Sequence, residues 1–345
     1  MIRSTGARRS GFGRRGFDKA VDRLSVLAVA FAAGMWATDV FFRTTLLEHG
    51  LTATRIVFGE DLLITCAFLP LLPRIARELR HARGWSWIAV VVIAVGPQAV
   101  ATVLFTQSLN IAFSAGVASE TYLLQQFQPL LAVGLAWMLL GERRRPLYWP
   151  LAAVGLIAVY LVVFAQDPLR PLTDLQSGRM TAALLALGAA SLWASGTVLG
   201  RYTLRELSFL TVTGVRFALA LPVLLLLVVL KDGVGALSAY QFRDLPALAG
   251  LALLPGFVAL LLYYRALRST PASVATLAET AYPLVVTLLL ALPAPYGFSQ
   301  HLYPLQLVGS GLFVIAILGL NVTTPRGLVR TVPERRRGLN EGGVA

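Results

Sequence analysis

The segment AETAYPLVV, residues 278–286, sets a carboxylate, a phenol and a helix-breaking proline inside an otherwise apolar run. A second segment, LQQFQPLLA at 124–132, places glutamines around a proline in equally apolar surroundings. A proline removes one backbone donor and disturbs the turn before it, so the freed carbonyls need other partners wherever water is excluded. Glu279 and Gln125 stand four residues before Pro283 and Pro129, about 12 Å along a helix from its start. A carboxylate at that depth must be protonated, paired or open to water. Glu279 is therefore the first candidate for proton coupling or for holding a substrate ammonium, against the plainer alternative of a neutral acid bonded to a neighbouring helix. Tyr282 beside Pro283 lies too deep for an interfacial anchor and offers a hydroxyl or ring to a ligand. Gln125, Gln126 and Gln128 cannot share one helix face at 100° per residue, so at least one meets a neighbouring helix.

Further candidates lie in other apolar runs. Asp39, Glu60, Asp61 and Glu120 are the remaining embedded acids, and Arg55 and Arg216 are basic residues read as opening their runs, free to snorkel or to pair with an acid such as Glu60. Trp36, Trp193, Tyr122, Tyr263 and Tyr264 add aromatic surface. Pro97 and Pro255 form a second pair of helix breaks. The spacings Gly196 to Gly200 and Ser191 to Ser195 read as close helix packing.

The elements that must position these groups follow from composition. Of 345 residues, 57% are hydrophobic and only 14% charged, and the mean hydropathy is +0.71. A soluble domain of this size has too little core to hide so much apolar surface. Apolar runs of ~20 residues match helices crossing a hydrocarbon core of roughly 30 Å. Alternating segments of the β-barrel kind do not occur, which leaves helices. Ten spans are expected: Ser25–Thr44, Thr52–Leu72, Trp85–Ser108, Ala118–Leu140, Tyr148–Phe164, Thr181–Leu199, Phe209–Leu230, Leu245–Tyr264, Ala272–Leu292 and Leu305–Leu320.

The formal charge of +13 reports orientation and implies no nucleic-acid partner. Arginines crowd the N-terminal segment, alternate loops and the C-terminal segment, whereas the opposite side holds only Arg43, Arg170, Arg179, Lys231 and Arg243. Both termini are thus expected in the cytoplasm of a multi-pass plasma-membrane protein. Cys66 is the single cysteine, so no intrachain disulfide forms. His49, His81 and His301 all fall between the runs. No metal, cofactor or catalytic cluster is expected, and the chain is read as not an enzyme.

The chain also repeats itself. VATVLFTQSL (100–109) matches VALLLYYRAL (258–267), ASETYLLQQFQPL (118–130) matches ASVATLAETAYPL (272–284), AAGMWA (32–37) matches AASLWA (189–194), and LTATR (51–55) is aligned with TGVRF (213–217). Each copy holds five spans, an odd number, so the second must sit upside down relative to the first. The expected fold is an all-α polytopic membrane protein of ten helices in two inverted five-helix repeats. A disordered basic tail covers 1–23, the repeats 24–165 and 181–321, an external linker 166–180 and a basic tail 322–345.

Trp36 and Trp193 in alanine-rich helices, Arg55 and Arg216, PASVATLAETAYPLVV (271–286) and the Gly-Glu step in LLGERRRP (139–146) together resemble the EamA-type branch of the drug/metabolite transporter superfamily. The connection ALPAPYGFSQHLYP (291–304) departs from it by lacking a second Gly-Glu step. The resemblance implies ten-helix carriers of small metabolites, many of them exporters, with a cavity between the halves. The function expected is a secondary transporter exporting a small polar or amphipathic metabolite (amino-acid-like, cationic or drug-like) by alternating access, with proton coupling as an option. A channel or facilitator is the alternative, and a membrane-embedded enzyme a remoter one. The partners expected are a small-molecule substrate and the lipid bilayer, with a homodimer left open. No Walker A motif is present to supply a motor.

Overall fold

The computed structural model describes residues 24–114, 124–125, 127–142, 146–165, 169, 177–238, 240–293 and 303–323. The expected N-terminal tail, the C-terminal tail beyond residue 323, most of the linker and of the 291–304 connection, and Glu120, Tyr122 and Gln126 lie outside them. All regular structure among the described residues is helical. In chain order the helices are α1 Ser25–Trp36, α2 Asp39–Glu48, α3 Ala53–Phe68, α4 Leu72–Leu79, α5 Gly84–Ile93, α6 Ala101–Ser114, α7 Gln128–Leu140 and α8 Tyr148–Val163. They continue with α9 Ser177–Thr203, α10 Phe209–Asp232, α11 Leu245–Leu251, α12 Ala259–Leu267, α13 Ala272–Ala278, α14 Ala281–Ala291 and α15 Pro304–Thr323.

Six stretches are long and apolar enough to cross a membrane: Ser25–Glu48, Ala53–Leu79, Gly84–Ala112, Met180–Thr203, Phe209–Asp232 and Phe242–Leu267. Shorter apolar helices at Gln128–Leu140, Tyr148–Leu161 and Ala272–Val286 fall within the spans expected fourth, fifth and ninth, and one at Pro304–Leu320 starts a residue before the tenth. The second stretch outruns its expected end at Leu72 because amphipathic α4, with Ile75 and Leu79 buried beneath arginines, carries the helix onward. Large apolar side chains such as Phe31, Leu184, Leu253 and Ile315 stand exposed, a girdle that water would penalise and lipid accepts.

The dominant helix contacts join the two sequence copies. Helix α3 runs along α10, α6 along α9, α1 along α12, α7 along α13 and α8 along α15. Side chains seal these seams at the helix ends. Thr52 caps α3 by accepting from the Arg55 N–H, and Ser208 caps α10 by accepting from the Thr211 N–H. Each cap is then held by an acid from the far end of the partner: Asp232 accepts from Thr52 and Thr54, and Glu78 accepts from the Ser208 N–H and from the hydroxyls of Ser208 and Thr211.

These two caps also set the register of the copies, and they overturn the pairing of Arg55 with Arg216. Arg55 lies in the first turn of α3, whereas Arg216 stands two turns beyond Ser208, level with Glu60. Matching the letters of LTATR to TGVRF therefore joined residues that are not equivalent in space.

The Gly-Glu step has a structural purpose. Gly141 ends α7 in the left-handed region at φ +65°, a conformation that glycine adopts without steric cost. The next residue, Glu142, reaches across to the start of α13, where it accepts from the Ala272 N–H at 3.0 Å and the Ser273 hydroxyl at 3.1 Å. A carboxylate at a helix N-terminus also meets the positive end of the helix dipole. Replacing Glu142 by alanine is expected to cost about 1–2 kcal/mol, read as a lower thermal midpoint in detergent, with a smaller loss for Glu142→Gln, which still accepts.

Candidate functional site

Both expected proline pairs disturb their helices, in two different ways. Pro97 and Pro255 sit inside widened turns, Ala94–Val100 and Ala252–Val258, where each helix adopts π geometry. Such a turn accommodates a residue without an N–H and turns backbone carbonyls outward. One of them, the Pro97 carbonyl, accepts from the Trp193 indole N–H at 3.0 Å. At the other pair the chain breaks before the proline: α13 ends at Ala278 and α14 begins at Ala281, with Pro283 inside α14, while Pro129 lies in the first turn of α7. Glu279 itself occupies the break.

These breaks surround a cavity of about 160 Å³. Glu279, Tyr282, Gln125, Gln128, Trp36, Trp193, Asp39 and Tyr263 all line it, as do Pro97, Pro129, Pro255, Glu60 and Arg216. Pro283 and Arg55 do not. Glu279 accepts from the Tyr263 hydroxyl at 2.7 Å, from the Thr197 hydroxyl at 3.2 Å and from the Gln128 amide. Three donors from three helices, α12, α9 and α7, hold one carboxylate at the cavity wall. Thr197 and Tyr263 are themselves within 2.9 Å of each other.

Two aromatic pairs face each other across the site. Trp36 meets Tyr263 with ring centroids 5.1 Å apart, and Trp193 meets Phe105 at 5.0 Å. The repeat aligns Trp36 with Trp193 and Phe105 with Tyr263, so equivalent residues of the two copies make equivalent contacts. Ring separations in this range suit attractive tilted packing and give the cavity stiff apolar walls.

The ion pairing differs from the expected one. Glu60 pairs with Arg43, whose Nη2 donates to Glu60 Oε2 at 2.9 Å while its Nε donates to Asp39 Oδ2 at 3.0 Å. Tyr282 donates to the other oxygen of Asp39 at 3.1 Å. Arg43 is thus a buried cavity residue and not a cation of the outer surface, because the carboxylate one turn earlier and the one on α3 together neutralise it. Arg216 donates through Nε to Gln98 Oε1 and through Nη1 to the Tyr264 hydroxyl at 3.0 Å. Arg55 instead lies over the Tyr240 ring, 5.2 Å from its centroid. Arg43, Gln98, Thr197 and Phe105 are cavity residues that the sequence reading had not singled out.

Glycines let the walls close in. A Cβ on Gly196 would stand 2.7 Å from the Pro97 ring, and one on Gly200 would stand 2.8 Å from the Tyr264 ring. Gly196→Ala is expected to force α9 away from the wide turn, costing about 1–3 kcal/mol and straining the Trp193–Pro97 hydrogen bond. A lowered unfolding midpoint together with a changed tryptophan emission would register both effects.

The model of the EamA-like transporter family matches this chain twice, over residues 23–164 and 180–322. The chain belongs to the EamA-like transporter family. Among its relatives, the protein of Bacillus subtilis (strain 168) named uncharacterized transporter YwfM is 26% identical over 295 residues, covering 85% of this chain and 92% of that one. The riboflavin transporter ImpX of Fusobacterium nucleatum is 27% identical over 200 residues, 58% of this chain and 64% of that protein. A solved crystal structure shares the fold at a TM-score of 0.65 and 19% identity, covering 87% of this chain and 95% of its own. This EamA-like protein is accordingly a multi-pass membrane transporter and not an enzyme.

Proposed function

We propose that this EamA-like protein is a secondary transporter that exports a small amino-acid-like metabolite by alternating access. Its ten spans form two inverted five-helix repeats, 24–165 and 181–321, joined by the external linker 166–180, with both tails in the cytoplasm at the plasma membrane. Export is the direction the family resemblance suggests. The observation that carries the substrate class is the pairing of opposite charges in one aromatic-walled cavity: Glu279 on the α13–α14 break and Arg216 on α10. An ammonium fits the carboxylate and a carboxylate fits the guanidinium edge, while Trp36, Trp193 and Phe105 take an apolar side chain. Riboflavin, named for the Fusobacterium relative, is uncharged and would leave both groups without an ionic partner.

Thermal stabilisation of the purified protein by a small panel tests this reading. Amino acids with large apolar side chains are expected to raise the midpoint, whereas the matching amines, the matching carboxylic acids and riboflavin raise it little. Because a ligand at 100 times its Kd stabilises by about 2.7 kcal/mol, a specific ligand stands out clearly. Stabilisation by riboflavin alone would sink the zwitterion reading. A cysteine placed in the linker of a Cys66→Ser background is expected to react with an impermeant maleimide in intact cells, and one in either tail is not. Protection of the linker would refute the inverted arrangement.

A further inference from the structure

Among the described residues, one carboxylate at membrane depth does not line the cavity described above. Asp61 on α3 is fully buried, yet only one group holds it: the Gln98 amide donates to Oδ1 at 2.8 Å. Its other oxygen, Oδ2, is buried and has no partner among the described residues, and the same is true of the Thr65 hydroxyl one turn further along α3. The other embedded acids among the described residues are better supplied, since Asp39 and Glu60 share Arg43 and Glu279 receives three donors.

We propose that Asp61 is a proton-binding site, separate from Glu279, whose state is read into the cavity through Gln98 and Arg216. The directions of the hydrogen bonds carry the argument. A guanidinium has only donors, so Gln98 must turn Oε1 toward Arg216 and its NH2 toward Asp61. Among the described residues the unpartnered Oδ2 then has no donor and Asp61 no ion-pair contact, which is costly in a dry interior. A proton passed from hydronium leaves water behind as its old O–H bond breaks, forms a new O–H bond on the carboxylate and neutralises it. With the proton on Oδ2, Oδ1 becomes a neutral carbonyl and a weaker acceptor, so the bond that orients the Gln98 amide loosens. Arg216, which lines the cavity and already donates to Tyr264, is then held less firmly by Gln98.

The charged surroundings of Asp61 are few. On α3 itself stand Glu60 and, in its first turn, Arg55; α2 contributes Asp39 and Arg43, already bonded together, and Glu48 at its exposed end. From α10 come Arg216 and, at the far end, Lys231 and Asp232. The remaining neighbours of α3, namely α6, α11 and the two wide turns, carry no titratable side chain. The use of this proton in transport rests on the alternating-access reading; the site itself does not.

Infrared difference spectra between acid and alkaline pH, taken on the full chain in liposomes, test the site with the proton as the only ligand. A carboxylic-acid band that titrates apart from those of the exposed acids is expected in the wild type and in Glu279→Gln, and is expected to be missing from the isosteric Asp61→Asn. Thr65→Val, which keeps the carboxylate, shifts the midpoint of that band several-fold in proton affinity. Fluorine NMR of fluorotryptophan-labelled protein reads the connection, because Trp193 bonds to Pro97 beside Gln98. Its resonance is expected to move with pH in the wild type and to stand still in Gln98→Leu, where the infrared band persists. A band unchanged by Asp61→Asn and by Thr65→Val overturns the site, and a Trp193 response unaffected by Gln98→Leu overturns the relay. Neither outcome depends on the substrate, so both are distinct from a failure of the transport reading.

Discussion

Glu279→Gln is expected to yield a folded protein that binds ammonium-bearing solutes roughly 10- to 150-fold more weakly, the equivalent of about 1.5–3 kcal/mol for a lost charge-assisted hydrogen bond. The fold should survive because the substitution keeps shape and most partners. The new amide can keep its oxygen on the Thr197 and Tyr263 hydroxyls while its NH2 donates to Gln128, whose own amide turns over to accept. What disappears is the negative charge that three converging donors hold at the wall before any solute arrives, and this preorganisation keeps the ordering cost of binding low. Tyr263→Phe removes one of those donors and should weaken binding less, by about 0.5–1.5 kcal/mol. Titration calorimetry with the amino acid that stabilises the wild type best measures both. Equal affinity in Glu279→Gln and wild type would reduce this carboxylate to an architectural role.

The parts of this site that were legible from sequence are those that break an apolar pattern. Glu279, Gln128 and the four prolines stand out because nothing in a lipid-facing helix calls for them, and all but Pro283 line the cavity. Arg43 was assigned to the outer surface because cations were sorted by loop, although Asp39 four residues earlier on the same helix offered a partner. Arg216 was set in the wrong register because the repeat was matched by letters, whereas the capping residues Thr52 and Ser208 fix where each helix begins. Gln98 and Thr197 left little trace, being single neutral polar residues in long runs. The pairing of α3 with α10 or α6 with α9 was hidden for a general reason. In a membrane, lipid-facing and helix-facing sides are both apolar, so periodicity does not say which face meets a neighbour.

Arg43→Met is expected to be the most destabilising single change in the cavity, by about 3–5 kcal/mol. One guanidinium bridges a carboxylate on its own helix and another on α3, with side-chain exposures of 9% for Arg43, 14% for Asp39 and 8% for Glu60. Methionine fills much of the volume but leaves two acids facing each other with no cation between them. Lysine is expected to recover only part of the loss, because its single ammonium lacks the fork that addresses Asp39 and Glu60 together. The triple variant Asp39→Asn/Arg43→Met/Glu60→Gln removes the charges along with their counter-charge, and it should be clearly more stable than Arg43→Met alone. Thermal unfolding in detergent compares the series, and an Arg43→Met midpoint equal to wild type would show that the two acids need no cation. The network also bears on transport, since Asp39 accepts from Tyr282, three residues beyond Glu279 on the α13–α14 break. A shift of the break would thus pull on a bond anchored through Asp39 to Arg43 and α3, which gives the two sequence copies a direct mechanical connection at the cavity wall.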